Sequence, residues 1–283
     1  MKNESHRGEI YVAFGGFCLG ILILLAIPIW AFADIAYDTS GKSSQDVADP
    51  DISSFNNAGD IIVCSAWSDA TVERFTGITF NGSSFTKQDT TSNVSGMGIL
   101  SSWYLMSPTV GTYTINATLS SGLGSLACAS YTGVDTAAID TNTVKNQDGT
   151  SSFSQTATTT ADNAWIVFGA INSAASHTAG TGTTLRQGSG TGSTYVAIGD
   201  TNGALTPAGN HSMTMTTSGS QNWGGVMIGL VPSAGGGGGG SSTSTLATST
   251  AEEIQATTLL YFTTWVVFIG TLLTSLWLFL LLA

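Results

Sequence analysis

The chain has 283 residues, 9% of them charged and 42% hydrophobic, and 18 acidic residues against 7 basic ones set a net charge of −11. Nucleic-acid binding needs clustered cations that displace counterions from phosphates. The basic residues here are scattered and none follows Arg186, so that class is excluded.

Residues 1–9 read as a short cytoplasmic tail. Residues 10–30 carry no charge, and neither do residues 259–282. Each run is long enough, at 1.5 Å per residue, to cross a hydrocarbon core of about 30 Å as a helix. Neither shows the polar stripe of a buried soluble helix. The expectation is a transmembrane helix over 10–33 and another over 257–283, with the lipid bilayer as partner. Ala31-Phe32-Ala33 also offers a small-x-small cleavage site, so a signal peptide cut after Ala33 is the alternative. The length of the apolar run, beyond the roughly 7–15 residues of a signal core, favours retention. Lys2 and Arg7 precede the first run while Asp34 and Asp38 follow it. That bias places residue 34 onward outside the cytoplasmic membrane, on a cell or virion surface.

Residues 34–234 are rich in Ser, Thr and Gly, and strand signals dominate them. Residues 59–69 are a β-branched run. Residues 74–88 hold Asn81-Gly82 between two alternating segments, the pair that a type I′ hairpin turn requires. Residues 98–108 and 111–121 read as the next hairpin, and residues 123–135 follow. Later strands are expected at 151–160, 163–172, 193–202, 211–219 and 222–232. In 211–219, Met213 and Met215 alternate with Thr214 and Thr216, a pattern with one buried and one solvated face. Residues 235–240 are six glycines, and 235–256 read as a flexible Gly/Ser/Thr linker. The expected fold is an all-β, extracytoplasmic antiparallel β-sandwich, a jelly roll over 34–234, flanked by the two transmembrane α-helices.

Of three cysteines, Cys18 lies in the first apolar run without the small-residue context of a lipid-attachment site. Cys64 and Cys128 fall in predicted strands. A bridge between them would close a loop of about 65 residues, worth about 4 kcal/mol in the chain-entropy model. The alternative is two small buried residues.

The segments Gly-Ile-Thr-Phe-Asn-Gly-Ser-Ser-Phe-Thr from residue 77, Ser-Ser-Trp-Tyr-Leu-Met-Ser-Pro from 101, Ala-Cys-Ala-Ser-Tyr-Thr-Gly-Val-Asp from 127 and Gly-Gly-Val-Met-Ile-Gly-Leu-Val-Pro from 224 occur in that order. Together they resemble the concanavalin/LamG-like sandwich domains of bacterial surface and phage-associated proteins. The resemblance spans roughly residues 35–233 and implies a fold more than an activity. Phe80 stands where that group has Tyr in its hairpin.

Catalysis needs a positioned acid, base, nucleophile or metal. The head offers one Glu, Glu73, and two His, His177 and His211, both in Ser/Thr/Gly surroundings that read as surface loops. No paired-carboxylate strand or nucleophile motif is present, so an enzyme is not expected and a carbohydrate-active hydrolase is the remote alternative. Asp46, Asp49 and Asp51 are candidate calcium ligands, since hard cations collect carboxylates and carbonyls. The competing reading is ordinary turn aspartates. Trp67 and Trp223, near predicted strand ends, are candidate ligand-binding aromatics, although core packing is the usual role of strand Trp. Asn-x-Ser/Thr triplets at Asn81, Asn93, Asn116 and Asn210 are no more than so much Ser and Thr gives by chance. The functional expectation is a structural or adhesive surface protein of an envelope, filament or virion, packing against its own copies or other envelope proteins. The alternative is a glycan- or protein-binding module.

Overall fold

The computed structural model describes residues 34–172, 176–188 and 195–234. The chain divides into a unit of residues 1–236 and one of residues 237–283, the latter wholly outside the described residues.

Among the described residues fifteen strands form. The first nine are β1 (Ala36–Lys42), β2 (Asp51–Asn57), β3 (Ile61–Ser68), β4 (Phe75–Phe80), β5 (Ser83–Ser84), β6 (Thr86–Thr90), β7 (Ile99–Met106), β8 (Gly111–Leu119) and β9 (Gly124–Thr132). The rest are β10 (Val134–Thr158), β11 (Trp165–Asn172), β12 (Thr178–Ala179), β13 (Thr184–Gln187), β14 (Tyr195–Asp200) and β15 (Asn210–Pro232). They assemble into three sheets: five strands in the order β1-β9-β3-β7-β6, four in the order β2-β8-β4-β5, and six in the order β10-β15-β11-β14-β13 with β12 added on β15. All the pairings between strands are antiparallel.

The five-stranded sheet is the middle of the stack. Successive strand residues point to opposite faces, and here both faces are covered. Ile61, Val63 and Trp67 of β3 join Ala127, Ala129 and Tyr131 of β9 in a core shared with the six-stranded sheet. The intervening Ile62, Cys64, Ala66, Leu126 and Cys128 join Phe55, Ile78, Phe80 and Ile115 of the four-stranded sheet. Burial on both faces is why β3 and β9 read as continuous runs of small and apolar residues rather than as alternations. Gly169 on β11 marks a close approach of two layers, because a Cβ there would collide with the Ser65 side chain of β3.

The six-stranded sheet doubles back on itself. β10 and β15 pair along nearly their whole length, from Val134↔Pro232 to Thr158↔Asn210, with irregularities between Gln147 and Ser152. Bulges of this kind bend a ribbon. The far arm returns over the sheet, so Phe153, Ala157, Met213 and Met215 pack on Ile166, Phe168 and Met227 in a third core. Polar contacts tie the two arms of β10 together: Gln155 Nε2 donates to Thr143 O at 3.0 Å and Lys145 Nζ to Ser154 O at 2.6 Å. This fourth layer explains why β11, Trp-Ile-Val-Phe-Gly-Ala-Ile-Asn, is buried at every position.

The fold class expected from sequence is corrected at three points. First, the molecule is all-β and sandwich-like, but its layers number more than the two sheets of a jelly roll. Second, no helix occurs among the described residues, and none of them forms one long and apolar enough to cross a membrane. The helices expected at 10–33 and 257–283 fall outside the described residues, as do the tail at 1–9 and the linker from 235. Third, β7 and β8 are not a hairpin. β7 pairs with β3 and β6 in the middle sheet while β8 pairs with β2 and β4 in the outer one. The Asn81-Gly82 turn forms as read, with φ of 47° and 79° between Phe80 and its partner Ser83.

Candidate functional site

A cleft of about 420 Å³ opens at the end of the middle sheet, where β3 stops and β7 and β9 begin. Its floor is Trp67 and Met97, both almost fully buried. The loop between β6 and β7 forms one wall. It is closed on itself by Val94 N donating to Gly98 O at 2.8 Å and Met97 N to Val94 O at 2.9 Å. Gly96 and Gly98 supply the positive φ values, 74° and 101°, that so tight a loop requires. Trp67 Nε1 donates to Met97 O at 2.6 Å and pins this loop to β3.

The polar wall comes from three separate segments. Asp69 directly follows β3, and its Oδ1 accepts from Leu123 N at 3.0 Å. Asp46 precedes β2 with φ of 52°, and its backbone N donates to Ser125 Oγ at 3.2 Å. Asn93 comes from the β6–β7 loop and is exposed. Among the described residues no cationic side chain lines the cleft. At the rim Leu123 is 40% exposed and Val72, next to the lining residue Thr71, is 53% exposed. The cleft thus joins two carboxylates and an amide to an apolar floor and rim.

The residues singled out from sequence are dispersed. Asp46 reaches the cleft, Asp49 Oδ1 accepts from Leu119 N at 2.7 Å, and Asp51 lies exposed on β2 opposite Asn116. Among the described residues no group of three or more His, Cys, Asp or Glu is placed to hold a metal. Trp67 is cleft floor rather than an open stacking face. Trp223 is fully buried within β15, stacked on Phe153 with ring centroids 5.4 Å apart, and its Nε1 donates to Thr150 O at 2.8 Å. Cys64 and Cys128 are bonded as a disulfide across neighbouring strands of the middle sheet, where they face each other in register. Sequence reasoning missed Asp69, Met97 and Leu123 and saw Asn93 only as a glycosylation triplet. The one signal for them was the Ser-Gly-Met-Gly turn at 95–98.

Two buried polar groups serve the fold. His177 is not on a surface loop as expected: it is buried edge-on against Trp223, and the Asn172 amide meets its Nε2 at 3.1 Å. Burial pulls its imidazole down from 6.5 to about 3. Asp200, fully buried at the end of β14, accepts from Arg186 Nε at 2.6 Å and Nη2 at 3.0 Å. The Arg186 guanidinium also lies 4.0 Å from the Tyr37 ring centroid, which couples β13 to β1. Burial, helped by the Asp200 carboxylate, holds the Tyr131 hydroxyl well above its ordinary value.

These layers and this cleft define a sandwich-like all-β domain with a small ligand-sized opening. No family model and no curated protein matches the chain. Among solved structures it is similar to the ANXUR2 extracellular domain from Arabidopsis thaliana, at 8% identity and a TM-score of 0.21, over 73% of this chain and 89% of that one. It is also similar to a "putative secreted protein" from Eubacterium rectale, at 11% identity and a TM-score of 0.20, over 64% of this chain and 68% of that one. Likenesses this distant carry no argument about activity or partner.

Proposed function

We propose that the chain presents a non-catalytic adhesive head outside the cytoplasm, and that the head holds a glycan in the cleft between Asp46, Asp69 and Asn93. The cleft itself carries the reading. Sugar recognition asks for mixed donors and acceptors over an apolar surface, in a concavity of a few hundred Å³ on a rigid scaffold. The lining residues sit on or beside strands of the doubly buried middle sheet, which meets the demand for rigidity. The disulfide supports the location, because such bonds persist in oxidising compartments.

A glycan array probed with the full-length protein tests this. The expected result is selective retention of a subset of glycans, weakened about five- to tenfold by Asn93→Ala through loss of a polar contact worth about 1–1.5 kcal/mol. Uniform failure to bind would overturn it. A structural role in a self-assembled layer is the second reading, favoured by the uncharged outer face of β8, where Thr112, Asn116 and Thr118 are exposed. An ordered lattice of the protein in electron micrographs, with no glycan bound, would select that reading.

A further inference from the structure

We infer that the end of the head where its first and last residues meet lies against a neutral lipid surface, with Val110 touching it and the cleft facing away. This concerns the orientation of the head and stands whether or not the cleft holds a glycan. One set of loops builds this end. Asp60 N donates to Tyr131 O at 2.7 Å, Ser107 N to Asp60 O at 2.8 Å and Asn57 Nδ2 to Thr109 O at 3.3 Å, which gathers the β2–β3, β7–β8 and β9–β10 turns. Both chain ends of the head join the last of these turns. Ser233 N donates to Gly133 O at 2.8 Å, and a Cβ on Gly133 would collide with the Asp34 carbonyl. The charge-free run at 10–30 stops four residues before Asp34, and four residues reach at most about 14 Å. Ile35 is already core. The head is therefore held close to whatever receives that run, and a long, mostly apolar segment gains by leaving water for lipid. The surface of this end agrees. Val110 is 58% exposed, and Ala58, Ala137 and Ala138 are exposed on the same loops. Asp60 and Asp135 commit their carboxylates to the loops, Asp60 Oδ2 accepting from Gly133 N at 2.7 Å and Asp135 Oδ1 from Ala137 N at 2.8 Å. The Arg186 guanidinium is taken by buried Asp200 and lies on the Tyr37 ring, so among the described residues no uncommitted cation stands here for anionic headgroups. A second copy is the poorer occupant, since one Val among alanines is little for an interface that needs about 800 Å² per partner. β3 runs from this end to the cleft, and its eight residues, at about 3.3 Å each, set the two about 23 Å apart.

The test is fluorescence quenching in the full-length protein reconstituted with phosphatidylcholine vesicles. A bimane label is attached through Val110→Cys in one sample and through Leu123→Cys, at the cleft rim, in another. Both carry Cys18→Ser, which leaves only the disulfide-bonded Cys64 and Cys128. Both labelled positions are exposed, so the thermal midpoints should match that of the parent. Lipids with a nitroxide on the headgroup should quench the label at position 110 several-fold more strongly than the label at position 123, and aqueous iodide should show the reverse order. Equal quenching at the two positions would overturn the inference, as would stronger headgroup quenching at position 123. Failure of the protein to float with the vesicles would remove the lipid partner and overturn it too. A disulfide-linked dimer through Val110→Cys, with no headgroup quenching, would give this end to a second copy. Stronger quenching at position 110 on adding anionic phosphatidylserine would overturn the assignment to neutral lipid.

Discussion

His177 shows how one side chain ties stability to pH. Its imidazole is buried and neutral, with a folded value near 3 against 6.5 in the open chain. Between those values the unfolded state takes up a proton that the folded state refuses. Stability from this residue is therefore complete above about pH 6.5 and falls by up to about 1.4 kcal/mol per pH unit as pH drops toward 3. Urea unfolding of the wild type and His177→Gln across that window should show the difference in slope, and parallel curves would contradict it. Sequence could not place this residue. Ser, Ala and Gly around His177 look like a loop, and only the pairing of β11 with β15, which sets Trp223 opposite Asn172, brings that ring against it.

At the level of elements, the longest strands decide the architecture. Thr214 and Thr216 alternating with Met213 and Met215 announced one buried face, and that face is buried. What buries it was not legible: the partner is the same sheet, reached by the bend between Gln147 and Ser152. Phe153 lies under that bend, stacked on Trp223 and 5.8 Å from Phe168 between centroids. Phe153→Ala should cost about 3–5 kcal/mol, and hydrogen exchange should quicken first in 152–158 and 210–216, ahead of β3 and β9. Uniform quickening would mean that the arm is no separate unit. The edges are stitched as well, Asn142 Nδ2 donating to Asp89 Oδ2 at 2.7 Å on one side and Ser40 Oγ to Arg186 O at 3.1 Å on the other. Arg186→Met strands the buried Asp200 carboxylate and should destabilise by about 3–5 kcal/mol. Adding Asp200→Asn should recover much of that loss, because the unpaired charge is the larger cost. Chemical denaturation of the single and double variants reads the difference.

For the whole molecule, the disulfide joins two strands that lie far apart in sequence and side by side in the middle sheet. Replacing Cys64 and Cys128 by Ala should lower stability by about 4 kcal/mol in the chain-entropy model. For a domain of this size that corresponds to a thermal midpoint about 10 °C lower. Calorimetry of the double variant checks this, and an unchanged midpoint would show that the layers alone hold the fold. By itself the sequence determined the all-β character, the Asn81-Gly82 turn, the strands whose two faces are both apolar, the net negative charge and the two charge-free runs outside the head. Those are local properties, fixed by side-chain period, turn chemistry and composition within a few residues. Only the tertiary structure decided that the sheets stack in more than two layers, that β7 and β8 part company, and that Asp46, Asp69 and Asn93 meet over Trp67. Each of these depends on which strands lie side by side, and no short-range period encodes the pairing of residues a hundred positions apart.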